Sequence, residues 1–313
     1  MYRFGSHVSC AGGLLRAVDR ATEIGCQCLQ IFVSPPRAWP TVRKLIPLEA
    51  SPIAKRSADS SLNKQTKPEQ QAPTEDPSRF RKAVAAAGLE APISHACYLI
   101  NLASPDTQLW ERSVEALSVE WQRSDELKLD GIVMHPGAHT TTSIESGLEN
   151  IVRGIQLVQK RIRPQHCPLL LENTAGQGTC LGWNCEQLGW LIGQLSSQMV
   201  KVCWDTCHAL AAGYDFRTEA GMQSMIAELH QHGVLNEIRA VHINDSVKEC
   251  GSRVDRHEHI GQGCIGSKGF KLFLKSDEFN RLPMYLETEK GVDDKGQDWD
   301  VRNLKTLRSY AAR

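Results

Sequence analysis

The chain has 313 residues, of which 41% are hydrophobic, and its 36 Lys and Arg residues balance its 36 Asp and Glu residues. The length allows two average domains or one large barrel. A formal net charge of +0 gives no overall cationic field, so any binding to nucleic acid would depend on a local patch. The N-terminus lacks the apolar core of a signal peptide, and no run approaches the ~20 apolar residues of a membrane span. These features predict a cytoplasmic protein without a membrane segment.

Eleven cysteines occur in the chain, and none of them forms a C-x-x-C pair. In a chain of this length without a secretion signal, they predict reduced and mostly buried thiols rather than a disulfide framework. A cysteine-type zinc module is likewise disfavoured.

Short β-type runs alternate with longer helical patterns along the chain. The predicted strands are 2–8, 28–33, 91–95, 131–135, 168–172, 199–205, 238–242 and 282–287. The predicted helices are 14–24, 107–127, 146–162, 185–195, 219–232, 269–278 and about 300–310. Eight such units predict an α/β fold, a (β/α)8 TIM barrel forming one domain over residues 1–313. A doubly wound sheet is the alternative, although it usually stops near six strands.

Residues 51–78 interrupt this alternation after the second strand. They are rich in Ser, Lys, Gln, Glu and Pro, and such a composition buries too little apolar surface to offset the entropy of ordering. The segment is therefore predicted to be a disordered, low-complexity insertion between the second strand and its helix. A partner-binding tail is the alternative.

The C-terminal ends of the strands carry the functional side chains in a barrel of this kind. Here the predicted ends are His7, Ser34, His95, His135, Glu172, Asp205, His242 and Glu287. Crowded imidazoles and carboxylates would repel one another or shift their pKa values unless cations lay between them. The pattern therefore predicts a metal centre.

Two loops add candidate ligands to the strand ends. His208 heads the helix after the sixth strand, and Asp255 and His257 alternate in the loop after the seventh. Nine ligands of this type suit two or three ions, with zinc favoured and manganese or iron as competitors. Clustered divalent ions of this kind cleave phosphodiesters.

Two further motifs are interpreted as coincidental. The segment 261–266 fits G-x-G-x-x-G, but the polar residues before it are not the apolar strand that a dinucleotide site requires. The triplet 244–246 matches a glycosylation acceptor, but no secretion route is predicted.

Three segments of the chain resemble the signature segments of the endonuclease IV family, the apurinic/apyrimidinic (AP) endonucleases of base-excision repair. They are 171–178 (LENTAGQG), 205–215 (DTCHALAAGYD) and 251–257 (GSRVDRH). Residues 5–13, 98–102 and 135–137 match as well. The resemblance covers nearly the whole chain except the 51–78 insertion and the extreme C-terminus.

This resemblance implies a barrel with three zinc ions. By resemblance, one ion is held by His95, His135 and Glu172, a second by Glu172, Asp205, His242 and Glu287, and a third by His208, Asp255 and His257. The catalytic carboxylates are then Glu172 and Glu287, which orient the attacking water. The implied reaction is hydrolysis 5′ to an abasic site, leaving a 3′-hydroxyl and a 5′-deoxyribose phosphate, with additional 3′-phosphatase and 3′-phosphodiesterase activity.

The resemblance also implies a partner, double-stranded DNA containing abasic sites, bound by a monomer. Family members wedge an Arg, a Tyr and a Leu into the duplex, and Arg37, Tyr98 and Leu99 match these, with Trp39 on the same loop as Arg37. Prolines at 35 and 36 replace polar side chains of the family, which predicts fewer DNA contacts. His7 and His139 are predicted to lie beside the ligands or the phosphate, with structural histidines as the alternative.

Two other functions remain open at this point. A metal-dependent sugar isomerase or epimerase of the xylose-isomerase-like class would share the barrel and its ligand types. It would need only one or two ions and offers no use for the trio His208, Asp255 and His257. A catalytically inactive DNA- or metal-binding barrel is the third possibility, which the complete ligand set disfavours.

Overall fold

The computed structural model describes residues 2–41, 45–49, 76–195 and 199–312. Its strands are β1 (Arg3–His7), β2 (Cys28–Phe32), β3 (Glu90–His95), β4 (Gly131–Met134), β5 (Leu169–Glu172), β6 (Val200–Asp205), β7 (Ile238–His242), β8 (Asp245–Ser246), β9 (His257–Glu258) and β10 (Pro283–Leu286). Within the described residues, eight of these strands form a closed parallel barrel in the order β1-β10-β7-β6-β5-β4-β3-β2. The short strands β8 and β9 pair antiparallel outside it. The predicted TIM barrel is confirmed.

The helices follow the barrel strands along the chain. They are α1 (Leu14–Glu23), α2 (Ser78–Ala86), α3 (Thr107–Glu126), α4 (Ile144–Ile162), α5 (Cys185–Leu195), α6 (Thr206–Ala212), α7 (Glu219–Gln231), α8 (Gly266–Lys275) and α9 (Trp299–Ala311). Each longer helix buries one stripe, as α1 does with Leu14, Ala17, Val18 and Ala21. None of the helices in the described ranges combines the length and apolarity needed to cross a membrane.

Several predicted boundaries differ from the structure, mostly by one or two residues, and two of the differences concern the insertion and α8. Most of the predicted 51–78 insertion, residues 51–75, lies outside the described residues, but Ser78 at its end already begins α2. Helix α8 begins at Gly266, three residues before the predicted start. The buried carboxylate of Asp245 accepts hydrogen bonds from Ile265 N–H at 2.9 Å and Gly266 N–H at 3.4 Å. These bonds satisfy free donors at the helix start, which a glycine-rich sequence does not reveal.

The barrel lumen is filled by a cluster with one residue from each of seven strands. Its members are Cys28, Ile93, Val133, Leu170, Cys203, Ala240 and Tyr285, all at most 1% exposed. Gly5 takes the corresponding place in β1, opposite Cys28 and Tyr285. A Cβ at Gly5 would lie 1.8 Å from the carbonyl oxygen of Cys28, so the approach of β1 to β2 requires glycine. This layer closes the lumen below the candidate site.

Helix α3 buries an ionisable side chain, Glu120, which is 0% exposed. Its Oε2 accepts a hydrogen bond from Cys97 N–H at 2.9 Å, and its Oε1 accepts one from the hydroxyl of Ser34. Burial raises the pKa of Glu120 from 4.5 to about 7, and the two hydrogen bonds oppose this shift only in part.

We expect Glu120 to make the protein less stable as the pH rises from about 4.5 to about 7. In this window the folded state keeps a proton that the unfolded chain has released, so the free energy of unfolding falls, by about 3 kcal/mol in total. The Glu120→Gln variant removes the ionisation but keeps an acceptor and a donor. Its free energy of unfolding in urea, relative to that of the wild type, should therefore increase between pH 5.5 and 8.5. A difference independent of pH would contradict this assignment.

Candidate metal centre

Side chains alternate between the two faces of a strand, so residues two positions beyond the lumen cluster also face inward. In every barrel strand that position is polar: His7, Gln30, His95, His135, Glu172, Asp205, His242 and Glu287. Seven of these are predicted strand ends. The second strand supplies Gln30 instead of the predicted Ser34, because β2 already ends at Phe32. The C-terminal mouth of the barrel is therefore lined by one polar side chain from each strand.

The nine predicted metal ligands fall into three groups. Within each group, one candidate ligand atom per residue lies within 4.8 Å of the others. The groups are His95, His135 and Glu172; Glu172, Asp205, His242 and Glu287; and His208, Asp255 and His257. Glu172 belongs to the first two groups, so its two carboxylate oxygens can serve two neighbouring cations. The arrangement brings together all nine residues, although they are spread over nearly two hundred positions of sequence.

A fourth possible group among the described residues consists of Asp205, Cys207 and His257. Burial raises the pKa of the Cys207 thiol to about 12. The thiol donates to the carbonyl oxygen of Arg256 at 3.5 Å. A protonated thiol is a poor ligand, so the groups built from imidazoles and carboxylates fit a cation better.

The histidine rings have the orientation expected of ligands. Nδ1 of His208 contacts the carbonyl oxygen of Asn173 at 2.8 Å, and Nδ1 of His257 contacts that of Glu287 at 3.3 Å. Their Nε2 atoms are buried, have no hydrogen-bond partner among the described residues and lie 3.2 and 3.4 Å from Oδ1 of Asp255. A carbonyl that holds one ring N–H while the other nitrogen faces a carboxylate is the usual arrangement around a metal.

The first two groups repeat this pattern around Glu172. His95 uses Nδ1 for the carbonyl oxygen of Ala96 at 2.7 Å and places Nε2 3.2 Å from Glu172 Oε2. His135 Nε2 lies 3.0 Å from the same oxygen. His242 Nδ1 lies 2.8 Å from Glu172 Oε1 and 3.1 Å from Glu287 Oε2. The residues present therefore fit divalent cations at all three groups.

The electrostatics of the site depend on Glu172. Burial alone would raise its pKa, but the surrounding imidazoles, chiefly His242 and His135, hold that pKa well below the usual range. Burial would lower the pKa of His208, but Asp205 and Asp255 raise it well above the usual range. A carboxylate that stays ionised in a buried mouth is a strong acceptor for a cation or for a hydrogen-bond donor.

Local structure places the loop ligands. Asp205 is the N-cap of α6, and its Oδ1 accepts from His208 N–H at 2.7 Å, which sets His208 one helical turn beyond the strand. Asn244 donates through Nδ2 to Asp205 Oδ2 and accepts through Oδ1 from Glu287 N–H, both at 2.7 Å. Asn244 is fully buried, which agrees with dismissing the glycosylation triplet. Its role in positioning two candidate ligands was not predicted.

Gln30 is the main residue that the sequence analysis missed. It is 0% exposed and contacts three residues of the mouth. Its Oε1 accepts from His242 Nε2 at 2.7 Å, and its Nε2 donates to His7 Nδ1 at 2.9 Å and to Glu287 Oε1. A polar residue within the apolar run of β2, two positions after Cys28, was the available signal. Gln30 fixes which ring nitrogen of His242 faces the site.

The two remaining predicted histidines lie in different environments. His7 lies beside Glu287, with Nδ1 3.2 Å from Oε1, and burial lowers its pKa to about 4. His139 contacts the carbonyl oxygen of Thr142 in its own loop at 2.6 Å. The structure therefore brings His7 beside the candidate ligand Glu287, whereas His139 contacts the backbone of its own loop and its predicted place beside the phosphate stays a prediction.

The predicted DNA-contact residues lie on the rim around this mouth. Arg37 is exposed, and Tyr98 and Leu99 are 54% and 37% exposed. Trp39 is partly buried beneath the guanidinium of Arg112, whose Cζ lies 4.2 Å from the ring centroid. Three of the four side chains are thus accessible to a large substrate, and Trp39 packs against its own protein.

Comparisons with known proteins cover nearly the whole chain. A family model described as a xylose isomerase-like TIM barrel matches residues 18–310. A protein of Geobacter sulfurreducens named probable endonuclease 4 is 38% identical over 310 residues, which is 99% of this chain and 94% of that protein. Endonuclease IV from Thermus thermophilus has a crystal structure that matches with a TM-score of 0.77 at 31% identity, covering 99% of both chains. A 3-keto-D-glucoside 4-epimerase from E. coli matches with a TM-score of 0.63 at 14% identity, covering 99% and 100% of the two chains, and shows the fold alone.

Proposed function

Since the chain belongs to the endonuclease IV family, we propose that it is a metal-dependent DNA repair endonuclease that hydrolyses the phosphodiester 5′ to abasic sites. The products are a 3′-hydroxyl and a 5′-deoxyribose phosphate, and the same centre trims 3′-phosphates and 3′-phosphodiesters. The observation that carries this proposal is the set of three ligand groups in the barrel mouth, two of which share Glu172.

The metals that we propose are three zinc ions, held by the three groups of imidazoles and carboxylates. Imidazole with carboxylate is a donor set that suits zinc. When bound, such ions supply Lewis-acid charge that lowers the pKa of water and offsets negative charge on a phosphodiester.

Glu172 and Glu287 are the proposed catalytic residues. Their oxygens approach the same atom, Nδ1 of His242, at 2.8 and 3.1 Å, and the pKa of each is held well below the usual range by the imidazoles around it, although burial opposes this. Both carboxylates are therefore available at neutral pH to accept hydrogen bonds from water and orient it toward phosphorus. The trio His208, Asp255 and His257, on the other side of Asp205, is assigned to the leaving 3′-oxygen.

The substrate that we propose is duplex DNA, because the rim is open and carries exposed wedge residues. Extruding an abasic nucleotide costs less unstacking than extruding a paired base. Tyr98 and Leu99 can fill the gap that the extrusion leaves, as apolar wedges do elsewhere, and Arg37 supplies positive charge for the backbone. With a net charge of +0, we expect this affinity to be modest and to fall with salt.

The proposal is tested with a duplex that carries a tetrahydrofuran abasic analogue. This analogue cannot undergo β-elimination, so strand cleavage reports hydrolysis. We expect cleavage on the 5′ side with a 3′-hydroxyl product, and we expect it to stop after exhaustive chelation and return with zinc. An intact duplex together with epimerisation of a ketose would instead assign the protein to the sugar-modifying branch of this fold.

A further inference from the structure

Two loops of the barrel rim carry the proposed DNA wedges, and they contact each other. The β2 loop (residues 33–41) contains Arg37, and the β3 loop (residues 96–106) contains Tyr98 and Leu99. Tyr98 N–H donates to the carbonyl oxygen of Pro36 at 3.2 Å. The Cys97 thiol approaches the carbonyl oxygens of Pro36 and Ala38, each at 3.3 Å. These contacts join the two loops near the surface.

A single buried carboxyl group joins the same loops from below. Glu120 accepts from Ser34 in the β2 loop through Oε1 and from Cys97 in the β3 loop through Oε2. Ser34 and Cys97 each lie two residues beyond the end of their strand. Ser34 and Glu120 are fully buried, and Cys97 is 3% exposed. Each loop is therefore fixed at its root to the same rigid helix, α3.

Burying a carboxyl group is costly unless its hydrogen bonds are satisfied, and Glu120 offsets this cost by satisfying the Cys97 N–H and the Ser34 hydroxyl. An apolar residue at this place would leave both donors buried without that acceptor. Among the described residues Glu120 belongs to none of the three ligand groups, and the groups that it accepts from are the Ser34 hydroxyl and the Cys97 N–H.

We infer that Glu120 is a positioning residue for DNA, which sets the separation between Arg37 and the Tyr98–Leu99 pair by holding both loops to α3. This inference rests on the proposed function. Without Glu120 the loops have to be ordered when DNA binds, and that ordering weakens binding. The metal ligands are held by other contacts, so the chemistry itself should change little.

The test compares two substrates of the zinc-loaded enzyme. On the abasic duplex, Glu120→Ala should raise KM about tenfold with kcat within about twofold, the size expected for losing two buried hydrogen bonds. On bis(4-nitrophenyl) phosphate, which has no duplex for the wedge residues to enter, turnover should equal that of the wild type. Glu120→Gln, which keeps both hydrogen-bonding partners, should restore KM on the duplex. Glu115→Ala, an exposed position of the same helix, is the matched control.

Ser34→Ala keeps the test decisive if Glu120→Ala fails to fold, because it removes one hydroxyl and should raise KM on the duplex about threefold. Equal losses on both substrates would overturn the inference, since they would mean that Glu120 supports the fold or the metal centre. Wild-type KM values in Glu120→Ala and Ser34→Ala would overturn it as well. If the wild-type enzyme leaves the duplex intact, both the proposed function and this inference are wrong. If the wild type cleaves the duplex and the variants have the same KM, only the inference is wrong.

Discussion

Glu172→Gln is expected to reduce cleavage of the abasic duplex by about 1,000-fold or more. Glu172 is the residue shared by two of the three ligand groups, and its two oxygens face His135 and His242 at 3.0 and 2.8 Å. A neutral amide offers a cation only one oxygen ligand, and a weaker one. Both ligand groups that contain Glu172 therefore lose affinity for cations. Single-turnover cleavage at saturating enzyme measures the loss without a contribution from substrate binding.

The barrel itself should stay folded in Glu172→Gln. Its lumen cluster and helices do not depend on this carboxylate, and glutamine has nearly the same volume. Circular dichroism without added metal should therefore match that of the wild-type apoprotein, whereas the melting temperature should fall because Glu172 loses its ion pairs with the surrounding imidazoles. Glu289→Gln, which neutralises an exposed carboxylate two residues after Glu287, serves as the control and should cleave normally. Cleavage by Glu172→Gln at the wild-type rate would show that Glu172 does not bridge two sites.

The second large effect is expected at Gln30. Gln30→Met has a similar size but removes the acceptor for His242 Nε2 and the donor to Glu287 and His7. Side chains that orient metal ligands typically contribute 10–100-fold to metal affinity. We therefore expect the ligand group of Glu172, Asp205, His242 and Glu287 to lose zinc at a chelator concentration about 10–100-fold lower in Gln30→Met than in the wild type. Competition with a chromophoric chelator measures this directly, without reference to activity.

Gln27→Met is the matched control for Gln30→Met. Gln27 lies just before β2 at the opposite end of the barrel, where its Oε1 accepts from Phe4 N–H at 3.4 Å. The same substitution there should leave zinc retention unchanged. Equal zinc retention in Gln30→Met and in the wild type would mean that His242 and Glu287 are oriented without Gln30.

Much of the fold and site was predictable because both follow from periodicity. Alternation of strand and helix predicted the barrel, and polar residues at consecutive strand ends predicted that His95 and Glu287 would meet despite 192 positions between them. The family membership inferred from three motifs is confirmed by relatives that cover nearly the whole chain. The insertion at 51–75 lies outside the described residues, and its predicted disorder stays a prediction.

The parts that were missed depend on contacts between distant elements. The sequence does not single out Gln30, because Val33 prolongs the apolar run of β2 and moves the predicted strand end to Ser34. Glu120 lies 86 residues from Ser34, and a glutamate on a helix is ordinarily solvent-exposed. The early start of α8 depends on Asp245, a carboxylate twenty residues before Ile265. In each case the partner lies outside the element concerned and is brought close only in the folded chain, which no local pattern encodes.

The most direct test of the shared metal centre is the ratio of metal to protein, measured by elemental analysis of the purified chain. Three ligand groups, two of which share Glu172, predict about three divalent ions per wild-type chain, and about one in Glu172→Gln, held by His208, Asp255 and His257. A wild-type ratio of one, or three ions retained in Glu172→Gln, would contradict the arrangement on which the proposed chemistry depends.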